Sequence, residues 1–129
     1  MYANLFSPIT INRLTIKNRI VMPSMGLSYT DKYEFNDRYK GFYRARAHGG
    51  VGLMTIGPLA IDQTGSAPLT LSIMSDDDIP PFREFLEELH RDTGVKVACQ
   101  LFHMGRYAFS MLTGKEPMAP SPKIGRAHV

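Results

Sequence analysis

Cysteine is nearly absent from this chain, which has a single one, Cys99, among 129 residues. One thiol excludes a disulfide framework and a cysteine-based metal cluster within the chain. Cys99 lies inside an apolar run, so we expect it to be a buried small hydrophobic residue. A catalytic thiolate would instead need an open, electropositive setting.

Long apolar stretches and runs of one charge are also missing. No segment approaches the roughly 20 apolar residues of a membrane span, and the N-terminus lacks the basic and apolar parts of a secretory signal. The net charge is +3, but Lys and Arg are spread along the sequence, which argues against a nucleic-acid surface. His48, His90 and His103 lack the spacing of a zinc site. We therefore expect a cytoplasmic protein that acts on a small molecule, without a metal in this chain and without membrane or nucleic-acid partners.

What the chain does contain is an alternation of apolar strands and amphipathic helices. Apolar periodicity and glycine or proline breaks define these elements. In order, they are a hairpin spanning Ile9–Ile16, a strand at Arg19–Met22, a helix at Asp37–His48, a strand at Val51–Ile56, a long loop over 57–77, a helix ending at Gly94 and a strand at Val95–Leu101. This order is typical of parallel strands joined by helical crossovers.

The ends of the three strands carry residues suited to a flat, amide-like ring such as the flavin isoalloxazine. In a parallel barrel these ends line the active site. The Ser24 hydroxyl can bond a ring carbonyl, and Gln100 offers a donor and an acceptor to a ring edge that presents N–H beside C=O. Gly57, followed by Pro58, permits close approach of a ligand to the backbone. Taken singly, each motif is equally compatible with an ordinary turn or a hydrogen bond to a loop.

His103 and Arg106 begin the loop after the last strand. His103 would either face the substrate or support the loop. Arg106 would reach a phosphate, a carboxylate or a surface aspartate. Both residues are candidate substrate contacts by position alone.

Four segments carry a resemblance to a known family: Leu5–Ile11, Leu14–Pro23, Ala47–Leu53 and Gln100–Tyr107. Together, and in the same order and spacing, they resemble the start of the old yellow enzyme family of NADH:flavin oxidoreductases. The ending Gly-Arg-Tyr is most similar to the branch that contains 2,4-dienoyl-CoA reductase. The resemblance implies an α/β fold: the N-terminal portion of a TIM (β/α)8 barrel, with a β-hairpin closing its base and about the first three βα units.

The resemblance also implies FMN at the barrel mouth, with NADH or NADPH as reductant. Its implied cofactor-binding residues are Pro23, Ser24, Met25, Gly57, Pro58 and Gln100. The implied reaction is hydride transfer from reduced FMN to an activated alkene, of the enoate or 2,4-dienoyl-CoA type. By the same resemblance, the catalytic residues and any iron–sulfur cysteines lie beyond residue 129.

Two other functions stay open at this point: a flavin amine dehydrogenase on the same barrel, and a non-catalytic βαβ binding module.

The last six residues, Ile124–Val129, match the translation of one reading frame of a widely used sequencing adapter. We therefore expect residues 1–123 to form a partial FMN-binding barrel domain and residues 124–129 to be a non-native read-through tail. A fragment of this kind is expected to be inactive by itself.

Overall fold

A central parallel sheet with two long helices on one face forms the body of the computed structural model, which describes residues 2–121. The predicted tail at 124–129 lies outside the described residues. In chain order the elements are α1 (Ala3–Phe6), β1 (Ile9–Ile11), β2 (Leu14–Ile16), β3 (Val21–Met22), α2 (Asp37–His48), β4 (Leu53–Ala60), β5 (Leu71–Ser72), α3 (Ile79–Thr93), β6 (Lys96–Phe102) and α4 (Ser110–Thr113), with 3-10 turns at Asp76–Asp78 and Gly105–Tyr107.

Strand β4 lies at the centre of the sheet. It pairs in parallel with β3, where Met22 is opposite Met54, and on its other side with β6, where Ile56 is opposite Cys99. The short β5 adds a parallel pair at the end of β4. The strands predicted as three successive crossover units are therefore neighbours, and their carboxyl ends point to one edge of the sheet.

The helices begin and end where the sequence predicts. Asn36 caps α2, because its side-chain oxygen accepts a hydrogen bond from the Tyr39 amide at 3.2 Å. Gly50 follows α2 with a φ of +98°, and Gly94 ends α3 with a φ of +64°, conformations that glycine adopts readily.

Aromatic and aliphatic side chains from both helices fill the space above the sheet. The Phe35 and Phe82 rings stack with centroids 4.4 Å apart, and Arg44 of α2 makes a bidentate ion pair with Glu88 of α3. The buried cluster consists of Met22, Phe35, Tyr39, Tyr43, Ala47, Met54, Ile56, Leu59, Leu71, Phe82, Phe85, Leu89 and Val95. This core holds both helices on the same face of β3, β4 and β6.

The β1–β2 hairpin lies at the amino-terminal end of the sheet. Ile16 is only 1% exposed, and the Asn18 amide donates to the Gly50 carbonyl at 2.7 Å. The Lys17 ammonium donates to the Thr93 carbonyl at 2.7 Å. Gly50 and Thr93 each lie three residues before a strand, β4 and β6 respectively. The hairpin therefore closes the base of the sheet, as the resemblance implied.

The second predicted strand ends later than expected. It was predicted to stop at Ile56, but β4 continues to Ala60. The pairing register shifts between Ile56 and Leu59, so that Gly57 and Pro58 together face Gln100. Such a β-bulge accommodates a proline, which has no N–H for the ladder, and allows the strand to resume.

The prediction that Cys99 is buried was wrong. Cys99 is exposed, because within residues 2–121 strand β6 pairs only with β4 and is the edge of the sheet. Partial desolvation nevertheless raises the pKa of the thiol. This shift opposes thiolate formation and therefore gives no support to a nucleophilic role.

The open edge predicts the behaviour of this 129-residue polypeptide on its own. Leu101 on β6 is 65% exposed and Val21 on β3 is 54% exposed, and unpaired apolar strand edges promote association. We expect the isolated polypeptide to aggregate and to bind FMN poorly, as measured by size-exclusion chromatography with light scattering and by flavin titration. A monodisperse yellow monomer with stoichiometric FMN would contradict this expectation.

Candidate functional site

Residues from the carboxyl-terminal halves of the neighbouring strands β4 and β6, and from the residues that follow β3, come together at Gly57. A Cβ built on this glycine would lie 3.0 Å from the Gln100 Cβ, 3.1 Å from the Gln100 carbonyl oxygen and 3.1 Å from the Ser24 hydroxyl oxygen. Ser24 follows β3, Gly57 belongs to the bulge of β4, and Gln100 lies near the end of β6. The structure therefore brings together the central residue of each predicted motif.

The backbone at the bulge is in a conformation that favours glycine. Gly57 has a φ of +149°, and its peptide bond to Pro58 is cis. Gly26 in the loop after β3 is close to the same point, since its Cβ would lie 3.8 Å from Pro58 Cδ. Small residues thus leave backbone, rather than bulky side chains, at the place where the strands meet.

Ser24 supplies a buried polar atom without a partner. Its hydroxyl oxygen is buried and has no hydrogen-bond partner within the described part of the chain. An unpaired buried polar group costs about 1–3 kcal/mol, so a hydroxyl in this position is well placed to bind a ligand. As both donor and acceptor, it suits a ring carbonyl or ring nitrogen.

Gln100 completes the polar part of the site. The residue is exposed, and its amide makes no hydrogen bond to any residue from 2 to 121. Within these residues, the alternative of a hydrogen bond from Gln100 to a neighbouring loop is therefore not observed. Its amide can donate to and accept from a ligand at the same time, which is what a pyrimidine-like edge requires.

The three remaining predicted cofactor residues border this cluster along the chain. Pro23 and Met25 flank Ser24, and both are exposed, Met25 to 48%. Pro58 follows Gly57 and is half-buried. An exposed thioether and two prolines offer apolar surface beside the polar groups, which is a common composition for a ligand site.

Tyr43 is a residue of this site that sequence reasoning missed. It lies on α2, is fully buried, and accepts a hydrogen bond from the Gly57 amide through its hydroxyl at 3.4 Å. Burial raises the pKa of Tyr43, so the hydroxyl stays protonated. The helical period marks Tyr43 only as a core residue, since its contact with Gly57 joins residues distant in sequence.

The variant Tyr43→Phe tests whether this hydroxyl supports the site. Removing the hydroxyl takes away a hydrogen-bond acceptor of the Gly57 amide. We expect this loss to cost about 1–3 kcal/mol of unfolding free energy and to weaken FMN binding. Tyr39→Phe is the matched control, because Tyr39 also lies on α2 and donates its hydroxyl to a backbone carbonyl, that of Leu69. Both variants should lose stability in urea titrations, but only Tyr43→Phe should raise the Kd for FMN. Equal effects on the Kd would contradict this role.

In the described part of the chain, the hydrogen bonds and ion pairs of His103 and Arg106 are made with residues other than Ser24, Gly57 and Gln100. His103 contacts the loop after β4, with Nε2 3.4 Å from the Asp62 carboxylate. Arg106 is exposed, donates to the Tyr107 hydroxyl at 2.7 Å and lies over the same ring. Their predicted substrate contact stays a prediction.

Residues 2–121 contain no group of three or more His, Cys, Asp or Glu residues that could hold a metal ion. No helix in this part of the chain has the length and apolarity needed to cross a membrane.

Comparison with known proteins places the chain in a family. Residues 4–126 match the profile of the NADH:flavin oxidoreductase / NADH oxidase family. The chain is 42% identical over 118 residues to a metal reductase of Desulforamulus reducens, covering 92% of the chain and 18% of that protein. It is 38% identical over 111 residues to an NADPH dehydrogenase of Halalkalibacterium halodurans, covering 84% and 32%.

A solved structure gives the same result for the fold. The old yellow enzyme homologue of Zymomonas mobilis superposes with a TM-score of 0.81 at 30% identity, covering 95% of this chain and 36% of that one. The predicted partial barrel is thereby confirmed. The chain spans only 18–32% of the length of the two curated relatives. With its parallel strands, its basal hairpin and these matches, the chain belongs to the NADH:flavin oxidoreductase / NADH oxidase family and forms part of an old yellow enzyme-like α/β barrel.

Proposed function

We propose that the protein carrying this chain is an FMN-dependent NAD(P)H oxidoreductase that reduces an activated alkene of the enoate or 2,4-dienoyl-CoA type. The observation that carries this proposal is the buried Ser24 hydroxyl, which has no partner among residues 2–121. It lies close to Gly57 and Gln100, where three adjacent parallel strands come together. The family supports a flavin and a nicotinamide. Residues 2–121 are proposed to bind and orient FMN.

Each residue of the cluster has a separate role in this proposal. The Ser24 hydroxyl bonds a polar atom of the ring, and the Gln100 amide pairs with the pyrimidine edge. Gly57 leaves room for the ring to approach the backbone, while Pro23, Met25 and Pro58 supply apolar surface. Neutral donors fixed at one edge favour negative charge developing there. FMN, when bound, supplies hydride chemistry between the nicotinamide and the alkene.

The proposal is tested on the full-length product of the gene that carries this sequence. We expect one FMN per chain, anaerobic bleaching of the flavin by NADH or NADPH, and reoxidation by 2-cyclohexen-1-one as a probe alkene. Gln100→Leu should weaken FMN binding by about tenfold, the upper range for one lost hydrogen-bonding group. Gln63→Leu is its control, because Gln63 is an exposed glutamine of the loop after β4.

Ser24→Ala should weaken FMN binding without lowering the stability of the FMN-free protein. Without FMN, the variant removes an unpaired buried hydroxyl and should be as stable as the wild type or more stable. With FMN, it loses a hydrogen bond, and the Kd should rise by about 2–10-fold.

A full-length protein that binds no flavin would overturn the proposal. Reduction of the flavin by a secondary amine, and not by a nicotinamide, would identify the protein as a flavin amine dehydrogenase instead.

A further inference from the structure

His103, directly after β6, is engaged through both nitrogens of its ring. Nδ1 accepts a hydrogen bond from the Gly105 amide at 2.8 Å. Nε2 lies 3.4 Å from the Asp62 carboxylate and 3.4 Å from the Thr64 hydroxyl. Because Nδ1 is the acceptor, a neutral ring carries its proton on Nε2, and this proton faces Asp62 and Thr64.

The face of the same ring lies against Gly65. A Cβ on Gly65 would lie only 2.1 Å from His103 Cδ2, so the imidazole occupies the space of a side chain at that position. Next to it, the Met104 amide donates to the Gly65 carbonyl at 2.5 Å. The loop over residues 61–66, which we call the β4 loop, is therefore attached to the end of β6 by the backbone and by the ring.

Asp62 organises the β4 loop from within. Its carboxylate accepts from the Thr64 amide and the Thr64 hydroxyl, both at 2.6 Å, and from the Gly65 amide at 3.0 Å. The hydrogen bond from the Thr64 side chain is the main reason why the pKa of Asp62 is lowered. An ionised Asp62 thus presents an acceptor to His103 Nε2 over the ordinary working pH range.

From these contacts we propose that His103 is a positioning residue that fixes the β4 loop beside the flavin site, and not a direct ligand of the substrate. A substrate ligand would need a ring nitrogen directed at open space, but both nitrogens of His103 face groups of the protein. The effect of His103 on turnover rests on the function proposed above. Its effect on the loop does not, because the contacts join protein groups only.

Isosteric variants separate the two nitrogens. In His103→Gln the side-chain amide can replace Nε2 as donor to the loop, whereas in His103→Asn the oxygen can replace only Nδ1 as acceptor. In the full-length holoprotein, hydrogen–deuterium exchange of the peptide covering residues 61–66 should be about 2–10-fold faster in His103→Asn and His103→Ala, as for a lost hydrogen bond. His103→Gln should stay near the wild type. Gln63→Ala, at an exposed position in the same loop, is the matched control and should also be unchanged.

Steady-state kinetics with 2-cyclohexen-1-one then distinguish positioning from substrate binding. If His103 has a positioning role, the KM for the alkene should rise in His103→Asn and stay near the wild-type value in His103→Gln. The Kd for FMN should be unchanged in both variants. A positioning role also predicts that Asp62→Asn raises exchange and KM, and that adding His103→Asn to it has little further effect.

The proposal is overturned if exchange of the β4 loop is unchanged in His103→Asn, or if Gln and Asn variants behave alike. A KM that rises while exchange stays constant assigns His103 to the substrate instead. Should the holoprotein fail to reduce the alkene at all, the exchange comparison still decides the role of His103, so this failure is distinct from that of the proposed function. If His103→Ala does not fold, the Asn and Gln pair provides the same comparison.

Discussion

Replacing Gly57 with alanine is expected to lower the free energy of unfolding by about 2–4 kcal/mol, from backbone strain and overpacking together. The φ of +149° at this position disfavours any side chain. The new methyl group would also lie 3.0 Å from the Gln100 Cβ and 3.1 Å from the Ser24 hydroxyl oxygen. Since both neighbours belong to the proposed flavin site, we expect the Kd for FMN to rise by about tenfold or more, as when well-packed polar contacts are displaced.

Gly26→Ala is the control for this variant. Its methyl group would make only an ordinary contact, 3.8 Å from Pro58 Cδ, so its unfolding free energy should stay within about 0.5 kcal/mol of the wild type. Both measurements use the full-length protein: urea titrations without FMN measure stability, and quenching of flavin fluorescence measures the Kd. If Gly57→Ala matched Gly26→Ala in stability, the close approach of the three strand ends would be wrong.

Replacing Gly52 with alanine is expected to destabilise the protein by about 3–5 kcal/mol, the sum of overpacking and a disturbed buried polar network. The methyl group would lie 2.4 Å from the Asn18 side-chain oxygen, 2.8 Å from the Asn18 carbonyl oxygen and 2.9 Å from an Ile16 methyl carbon. Asn18 bonds the Gly50 carbonyl and accepts from the Ile20 amide. The hairpin must therefore move away from the base of the sheet.

Gly41→Ala is a control that should change stability in the opposite direction. Gly41 is exposed within α2, and apart from its chain neighbours and the nearby helix backbone, no described atom lies within 4 Å of its would-be Cβ. Alanine there should stabilise the helix by roughly 0.5–1 kcal/mol. Urea midpoints of the two variants provide the comparison, and a Gly52→Ala variant as stable as the wild type would show that the hairpin does not close the base.

Gly52 directly precedes β4 and Gly57 lies within it, and the absence of a side chain has a different consequence at each position. Near the base, the missing side chain of Gly52 admits the hairpin, which covers the amino-terminal end of the sheet. At the mouth, the missing side chain of Gly57 admits Ser24 and Gln100, and Tyr43 bonds its amide from the helix side. The same central strand thus contacts the hairpin at its base and carries Gly57 of the proposed flavin site.

The sequence alone determined the elements whose signals are local. The periodic apolar side chains of α2 and α3 and the glycine at 94 specify two helices through contacts within a few residues of one another. The alternation around Ile9–Ile16 specifies a hairpin in the same way. The carboxyl ends of parallel strands joined by crossovers lie at one edge of a sheet. The order of elements in the sequence therefore also predicted that Ser24, Gly57 and Gln100 lie near one another.

The tertiary structure decided what depends on pairing between distant segments. The bulge that carries β4 past Pro58 exists because of its register with β6, and a proline read in isolation predicts only a strand end. The exposure of Cys99 follows from the edge position of β6 in the described residues. The contacts of Tyr43 with Gly57 and of His103 with Asp62 join residues 14 and 41 positions apart, and no local pattern encodes a contact over such distances.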